Sequence, residues 1–438
     1  MIERLFHLRE NGTTVRTEVL AGVTTFATLS YIIFVQPAVL STTGMDFGAV
    51  MVATCLAAAL ATLLIGLLAN YPIAGAPAMG HNFFFAYTVV AGMGVPWAIA
   101  LGADFLAGAI FIALAAVRFR EAVMDAVPEA LKAAIPAGIG LLIAFVGLQW
   151  AGIVVPSPGS FAKLGRLTAP PTVLAIAGFL AIAVLQLRRV RGAILLGILG
   201  TTVAGALLGL LPYRGIVAAP PSLAPTFLKL DVAGALKPEM LEIVLVFLFL
   251  AVFDTVGTLI GVSTQAGFLK DGKLPRAGRA LLADAIGTTA GTALGTSTVT
   301  AYVESAAGVA VGGRTGLANV VTALLLALAV FFHPLAQLMG GSVEYGGLQL
   351  SPVTAAALMT IGYLMLGNAA RVRWDDLSEA VPAFLTIVVM PLSLSIADGL
   401  AFGFISYALL KLLGGRGREV RPLAYVLAVL FVLRFAVM

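Results

Sequence analysis

Residues 295–316 read GTSTVTAYVESAAGVAVGGRTG, and they decide the fold. The stretch lies between long apolar runs, opens on a Thr/Ser/Val run of β character and is punctuated by glycines. It also carries a carboxylate, Glu304, where a bilayer midplane should fall. Backbone that leaves the helix at membrane depth has unpaired N–H and C=O groups, so it is tolerated only where protein or a polar cavity covers it. A short strand feeding a half-helix that starts near Glu304 would aim free N–H groups and a helix N-terminus at one small volume. Such a volume suits a small polar solute.

The rest of the chain agrees with a membrane setting. Its 438 residues are 60% hydrophobic and 11% charged, with a mean hydropathy of +1.05. A water-soluble domain needs more polar surface, and repeated apolar runs of about 20 residues are the mark of spanning helices. The composition predicts a polytopic inner-membrane protein with almost no extramembrane domain. The net charge of +5 does not point to nucleic acid, because the basic residues sit in loops. A single cysteine, Cys55, excludes an internal disulfide and any multi-cysteine metal site. The first residues are polar and amphipathic with no cleavable signal pattern, which predicts a mature, cytoplasmic N-terminus.

Apolar segments run over 18–40, 50–69, 79–90, 97–117, 135–153, 172–187 and 192–211. After a polar, Pro-rich connection at 212–238, seven more follow at 241–262, 280–294, 302–311, 317–338, 352–367, 377–396 and 400–413. A last apolar stretch, 422–438, is expected along or partly in the membrane. With the N-terminus inside, 20 Lys and Arg residues fall on the inner side and 5 on the outer, Arg434 being unassigned. That bias is the one topology follows. Seven spans per half place the second half upside down relative to the first. The third and tenth segments are short and Gly/Pro-interrupted at matching places, the best sequence pointer to a transporter's binding site.

The third segment reads YPIAGAPAMGHNFFFAY from Tyr71. Pro72 and Pro77 prevent a regular helix, Gly75 and Gly80 allow close approach, and Asn82 with Phe83 to Phe85 is expected to open a half-helix. Opposite it the tenth segment supplies Thr296, Ser297, Thr298, Thr300, Tyr302 and Glu304. The eighth segment holds Asp254 about midway, with Thr255 and Thr258 nearby. A carboxylate at that depth costs about 3 kcal/mol, so it should face a site or brace unwound backbone. Asp254 and Glu304 form the first candidate pair: two acceptors for the N–H groups of a planar heterocycle, one of which can take a proton. Asp104 and Asp284 read as braces of the broken segments or as proton relays. His81 reads as a ligand contact, a titrating group or a structural ring. His7 and His333, near membrane ends, read as structural. No Cys/His cluster, phosphate-binding glycine motif or nucleophile elbow is present, so neither a cofactor nor an enzyme activity is expected.

Three stretches carry a resemblance: AGVTTFATLSYIIFVQPAVL from Ala21, FDTVGTLIGV from Phe253, and ADAIGTTAGTALGTSTVTAYVESAAGVAVGGRTG from Ala283. The chain resembles, over nearly its whole length, the AzgA-type purine permeases of the nucleobase–ascorbate transporters (nucleobase:cation symporter-2). The resemblance implies an all-α polytopic fold of 14 spans in 7+7 inverted repeats, with short strands and half-helices in spans 3 and 10. It implies a core domain (1–124 and 239–340, spans 1–4 and 8–11) moving against a gate domain (125–238 and 341–438, spans 5–7 and 12–14). It further implies a homodimer through the gates, in contact with membrane lipid, and an elevator-type import of adenine, guanine or hypoxanthine with a proton. By the same resemblance Glu304 and Asp254 fall on the base-binding carboxylates, Asn82 and Phe83 on the third-span contact region, and backbone near Val303 on the remaining hydrogen bonds. Where such members usually read APGMGLNAFF, this chain reads APAMGHNFFF, with Ala78, His81 and Phe83 as the changes, and Ala251 stands where an acidic residue is common. The rival readings are an anion or other small-solute transporter of the same fold, against which Glu304 at a half-helix mouth argues, and a membrane enzyme.

Overall fold

The computed structural model describes residues 2–116, 128–157, 159–190, 192–213, 215–269 and 274–437. Arg118, Arg120, Arg191, Arg214, Lys270 and Lys273 of the charge count, and the expected domain boundary at 124/125, lie outside these residues. Among the described residues nine helices are long and apolar enough to cross a membrane: Val15–Ser41, Phe47–Ala69, Trp97–Ala115, Glu129–Trp150, Pro170–Leu187, Pro238–Ala266, Gly316–Gly340, Pro352–Arg371 and Ile396–Leu413. They carry segments one, two, four, five, six, eight, eleven, twelve and fourteen. Segments seven and thirteen are shorter apolar helices, Ala193–Leu207 and Leu377–Ser393. Segment nine is the helix Ala277–Leu294, made more polar by Arg279, Asp284 and its threonines. The protein is thus a mostly helical, multi-pass membrane protein.

Segments three and ten are interrupted as their prolines and glycines dictate. The strands in chain order are β1 (Gly75–Pro77), β2 (Val154–Ser157), β3 (Ser160–Leu164), β4 (Val299–Ala301), β5 (Val343–Tyr345) and β6 (Leu348–Leu350). β1 and β4 pair antiparallel, with Gly75 opposite Ala301 and Pro77 opposite Val299. After β1 a helix opens at Met79, earlier than Asn82, and from Phe84 to Gly92 it continues in the wider i→i+5 winding. After β4 the half-helix Ser305–Ala310 opens with Glu304 at its N-cap.

The inverted repeat is visible in which segments touch. One packs on eleven as eight packs on four; two packs on eleven as nine packs on four; the half-helix of ten lies on one as that of three lies on eight. Five packs on thirteen as twelve packs on six, and the pairs two/nine, three/ten and five/twelve map onto themselves. Exchanging each segment with the one seven places away converts one set of contacts into the other. Small residues make these crossings close: Gly316 lies directly against the Gly66 carbonyl, where any side chain would collide.

The stretch left over at the end is a helix, Pro422–Val437, packed on Ile396–Leu413. Near its end Arg434, 8% exposed, pairs with Glu242 at 2.6 Å and with Asp398 at 2.7 Å, at the first turns of segments eight and fourteen. The unassigned cation of the charge count therefore belongs to the membrane end where those two segments begin.

Candidate functional site

The β1–β4 crossing has no helical ladder, and neighbouring side chains complete its hydrogen bonds. The Thr62 hydroxyl donates to the Gly75 carbonyl at 2.9 Å and accepts from the Gly75 N–H at 3.0 Å. Thr288, its counterpart in segment nine, donates to the Val299 carbonyl at 2.6 Å. Asn319 donates to the carbonyls of Ile73 at 2.7 Å and Thr62 at 2.9 Å. Asp104, its counterpart in segment four, accepts the Thr298 N–H at 2.7 Å and also the Thr298 hydroxyl. Each of the four is at most 1% exposed, Thr62, Asn319 and Asp104 included. An unpaired buried backbone group costs about 1–3 kcal/mol, so these bonds are what makes the break tolerable. Asp104 is thus a brace, the plainer of its two sequence readings.

On the open side of this crossing lie the two carboxylates. Thr300 of β4 donates its hydroxyl to Asp254 at 3.0 Å. Asp254 is exposed on its helix, and Thr258, four residues on, is half-buried on the same face. Glu304 is half-buried, and Val303 beside it is 60% exposed. The two carboxylates flank the end of β4, Asp254 bonded to Thr300 within the strand and Glu304 three residues beyond it. The N–H groups of Ser305, Ala306 and Ala307 close the first turn of the half-helix onto the carbonyls of Tyr302, Val303 and Glu304, which leaves the N–H groups of Val303 and Glu304 without a carbonyl partner among the described residues, beside the carboxylate acceptors. Glu304 is held from segment one: the Tyr31 hydroxyl donates to its Oε1 at 2.6 Å, and the Thr28 hydroxyl to its carbonyl at 3.3 Å.

The third-segment candidates lie behind this group. Asn82 is fully buried and donates to the Gln36 Oε1 at 2.6 Å, and Gln36 donates to the hydroxyls of Thr296 at 3.0 Å and Ser297 at 2.8 Å. The Asn82 Oδ1 has no partner among the described residues. Phe83 is buried and stacks on Tyr87 with ring centres 5.5 Å apart. His81, 1% exposed, stacks on Phe247 at 6.5 Å, about two turns along the helix from Asp254, and neither ring nitrogen has a partner among the described residues. Asp284, fully buried, accepts the Thr255 hydroxyl at 2.5 Å and so ties segment nine to segment eight.

Residues 16–402 match the model of the Permease family, Xan_ur_permease. The chain belongs to this family, the nucleobase–ascorbate transporters. Among similar proteins, the adenine permease AdeP of Escherichia coli is 45% identical over 435 residues, 99% of this chain and 96% of that protein. The guanine/hypoxanthine permease PbuG of Bacillus subtilis is 45% identical over 446 residues, 99% of each chain. The transmembrane domain of the cyanobacterial bicarbonate transporter BicA superposes with a TM-score of 0.65 at 17% identity, covering 89% of this chain and 97% of that one. That likeness concerns the fold alone, and it is the fold that the sequence implied.

In this permease the crossing brings together Glu304, Asp254, Thr300 and Val303, with Thr258 on the adjoining face. It sets Asn82, Phe83 and His81 one layer back. Two residues that sequence reasoning did not single out complete the arrangement. Tyr31 and Gln36 both stand in the apolar run SYIIFVQPAVL of segment one. The available signal was Gln36, an amide in the middle of a spanning helix, which is costly there unless it is bonded.

Proposed function

We propose that this permease imports purine nucleobases, adenine, guanine or hypoxanthine, together with a proton. The observation that carries the reading is that Asp254 and Glu304 both stand at the end of β4, where Asp254 and Val303 are exposed and the N–H groups of Val303 and Glu304 have no carbonyl partner among the described residues. A purine presents N–H donors and ring-nitrogen or carbonyl acceptors on a flat edge. Asp254 and Glu304 accept the donors, while the N–H groups at Val303 and Glu304 serve the acceptors. Thr300 holds Asp254, Thr258 lines the approach, and Asn82, bonded to Gln36, supports the site from one layer back. Phe83 and His81 set the packing behind Asn82. Two negative charges at membrane depth beside a neutral base are costly, and a proton on one carboxylate relieves the pair, so base and proton favour the same state. The relatives' names, adenine permease and guanine/hypoxanthine permease, support the substrate class.

The same reading divides the chain into a core (1–124 and 239–340) that carries the site and a gate (125–238 and 341–438) past which it slides, with dimers formed through the gates and lipid around them. The N-terminus is cytoplasmic in an inner membrane, so the end with the abundant basic residues faces inward. An anion transporter of the same fold is disfavoured by Glu304, which puts a negative charge at the half-helix mouth where an anion would sit. Uptake of radiolabelled adenine, guanine, hypoxanthine, xanthine and uracil into proteoliposomes, with and without an inward proton gradient, tests it. Gradient-driven accumulation of a purine is expected. Accumulation of no base by folded protein would send the search to anions.

A further inference from the structure

We propose that Tyr31 is a positioning residue of the solute site: it engages one carboxylate oxygen of Glu304 and thereby presents the other to the solute. The proposal rests on the nucleobase reading above. Tyr31 stands where segment one breaks between the helices Val15–Leu29 and Ile32–Ser41, and it is 2% exposed. A buried tyrosine finds a partner for its hydroxyl, and this one finds Glu304 Oε1 at 2.6 Å, the length of a charge-assisted bond. One turn earlier Thr28 donates to the Glu304 main chain, so segment one grips both ends of the residue. The Tyr302 ring, 6.4 Å away and tied by its own hydroxyl to the Pro77 carbonyl at 2.6 Å, backs the Tyr31 ring and fixes its direction. No other side chain or backbone group of a described residue beyond Glu304 itself bonds Oε2, so its acceptor capacity remains for an incoming N–H. A glutamate at an accessible helix start otherwise samples several rotamers, and each must be abandoned when a base binds. Holding Oε1 removes that loss before binding.

The phenol ring fills the same space without its hydroxyl, so Tyr31→Phe isolates the bond from the packing. Uptake of a transported purine into proteoliposomes should then show KM raised roughly tenfold with the maximal rate within about twofold, the loss of one charge-assisted hydrogen bond. Replacing Tyr31 by 4-aminophenylalanine, which restores a donor at the ring's end, should recover most of the wild-type KM. Glu304→Asp withdraws the carboxyl from Tyr31 by one methylene, and Tyr31→Phe should add no further rise in that background. Unchanged KM in folded Tyr31→Phe, or additive effects in the double variant, overturns the role of Tyr31 and leaves the nucleobase reading standing. Should Tyr31→Phe not fold, unchanged KM in Glu304→Asp overturns it equally. No nucleobase uptake by the wild type overturns the substrate reading, and the proposal falls with it.

Discussion

Glu304 combines three things that rarely coincide: a carboxylate at membrane depth, the N-cap of a half-helix, and a hydroxyl donor from another segment. Glu304→Gln keeps an oxygen acceptor for the Tyr31 bond and keeps the size of the side chain, but removes the charge and the titrating group. Uptake is expected to fall at least about a hundredfold, the order of a lost charged contact, while the melting temperature in detergent stays near wild type. Wild-type transport by this variant would remove Glu304 from the site. His81 illustrates the opposite case. Its ring nitrogens make no hydrogen bond within the described residues, so His81→Leu strands no partner and should leave the melting temperature unchanged or higher. A marked drop would reveal a bond to the ring, and a changed ranking of bases would bring the ring into the site.

At the scale of the element, the decisive feature is that helices flanking the crossing donate side chains to it. Asn319 serves two carbonyls at once, and since the Thr62 carbonyl keeps a helical N–H while the Ile73 carbonyl has no other donor among the described residues, Asn319→Leu should cost about 1–3 kcal/mol, chiefly at Ile73. Differential scanning fluorimetry in detergent would read this as a clear drop in melting temperature; an unchanged value would mean the crossing does not depend on this amide. The far end of the tenth segment follows the same logic. Arg314 donates to the carbonyls of Val309 at 2.9 Å and Gly313 at 2.7 Å, placing a cation at the half-helix C-terminus, while buried Glu18 accepts the Arg314 and Thr315 N–H groups. The broken segments were legible because Pro72, Pro77 and the glycines around 295–316 cannot sustain a helix. Their hydrogen-bond partners were not, because a threonine in an apolar helix looks alike whether it bonds its own backbone, as Thr24 does, or a neighbouring strand, as Thr62 does.

At the scale of the molecule, charge clusters at both membrane ends hold segment fourteen and the chain that follows it, one of them reaching segment eight. Arg434 joins Glu242 and Asp398 across three segments. Arg434→Ala should destabilise the protein by about 3–5 kcal/mol, because it strands two partly buried carboxylates, whereas Arg434→Ala combined with Glu242→Gln and Asp398→Asn should recover much of that loss. Detergent melts of the three proteins check it. At the other membrane end, Arg416 and then Lys411 beside Glu419 hold its carboxyl down from 4.5 to about 2. A depressed folded value means that this pair's contribution is complete above the ordinary glutamate range and is lost as pH falls from 4.5 toward 2. Melting temperature should therefore decline over that window, and less so in Arg416→Ala; identical pH profiles would deny the pair a role.

The sequence by itself determined the membrane class, the broken third and tenth segments, the doubled architecture and the two carboxylates. All four depend on composition, on spacing along the chain, or on residues too costly to bury without a purpose. Only the tertiary structure decided which polar side chains meet. Tyr31 and Glu304 are 273 positions apart, Thr298 and Asp104 194 apart, and Asn82 reaches Gln36 rather than the open side of the crossing. No local pattern encodes such pairings, since they depend on how separate segments, within a half as for Asn82 and between the halves as for Tyr31 and Thr298, cross in space. The same crossing places Asp254 and Glu304 on the open side and closes His81 and Phe83 behind it.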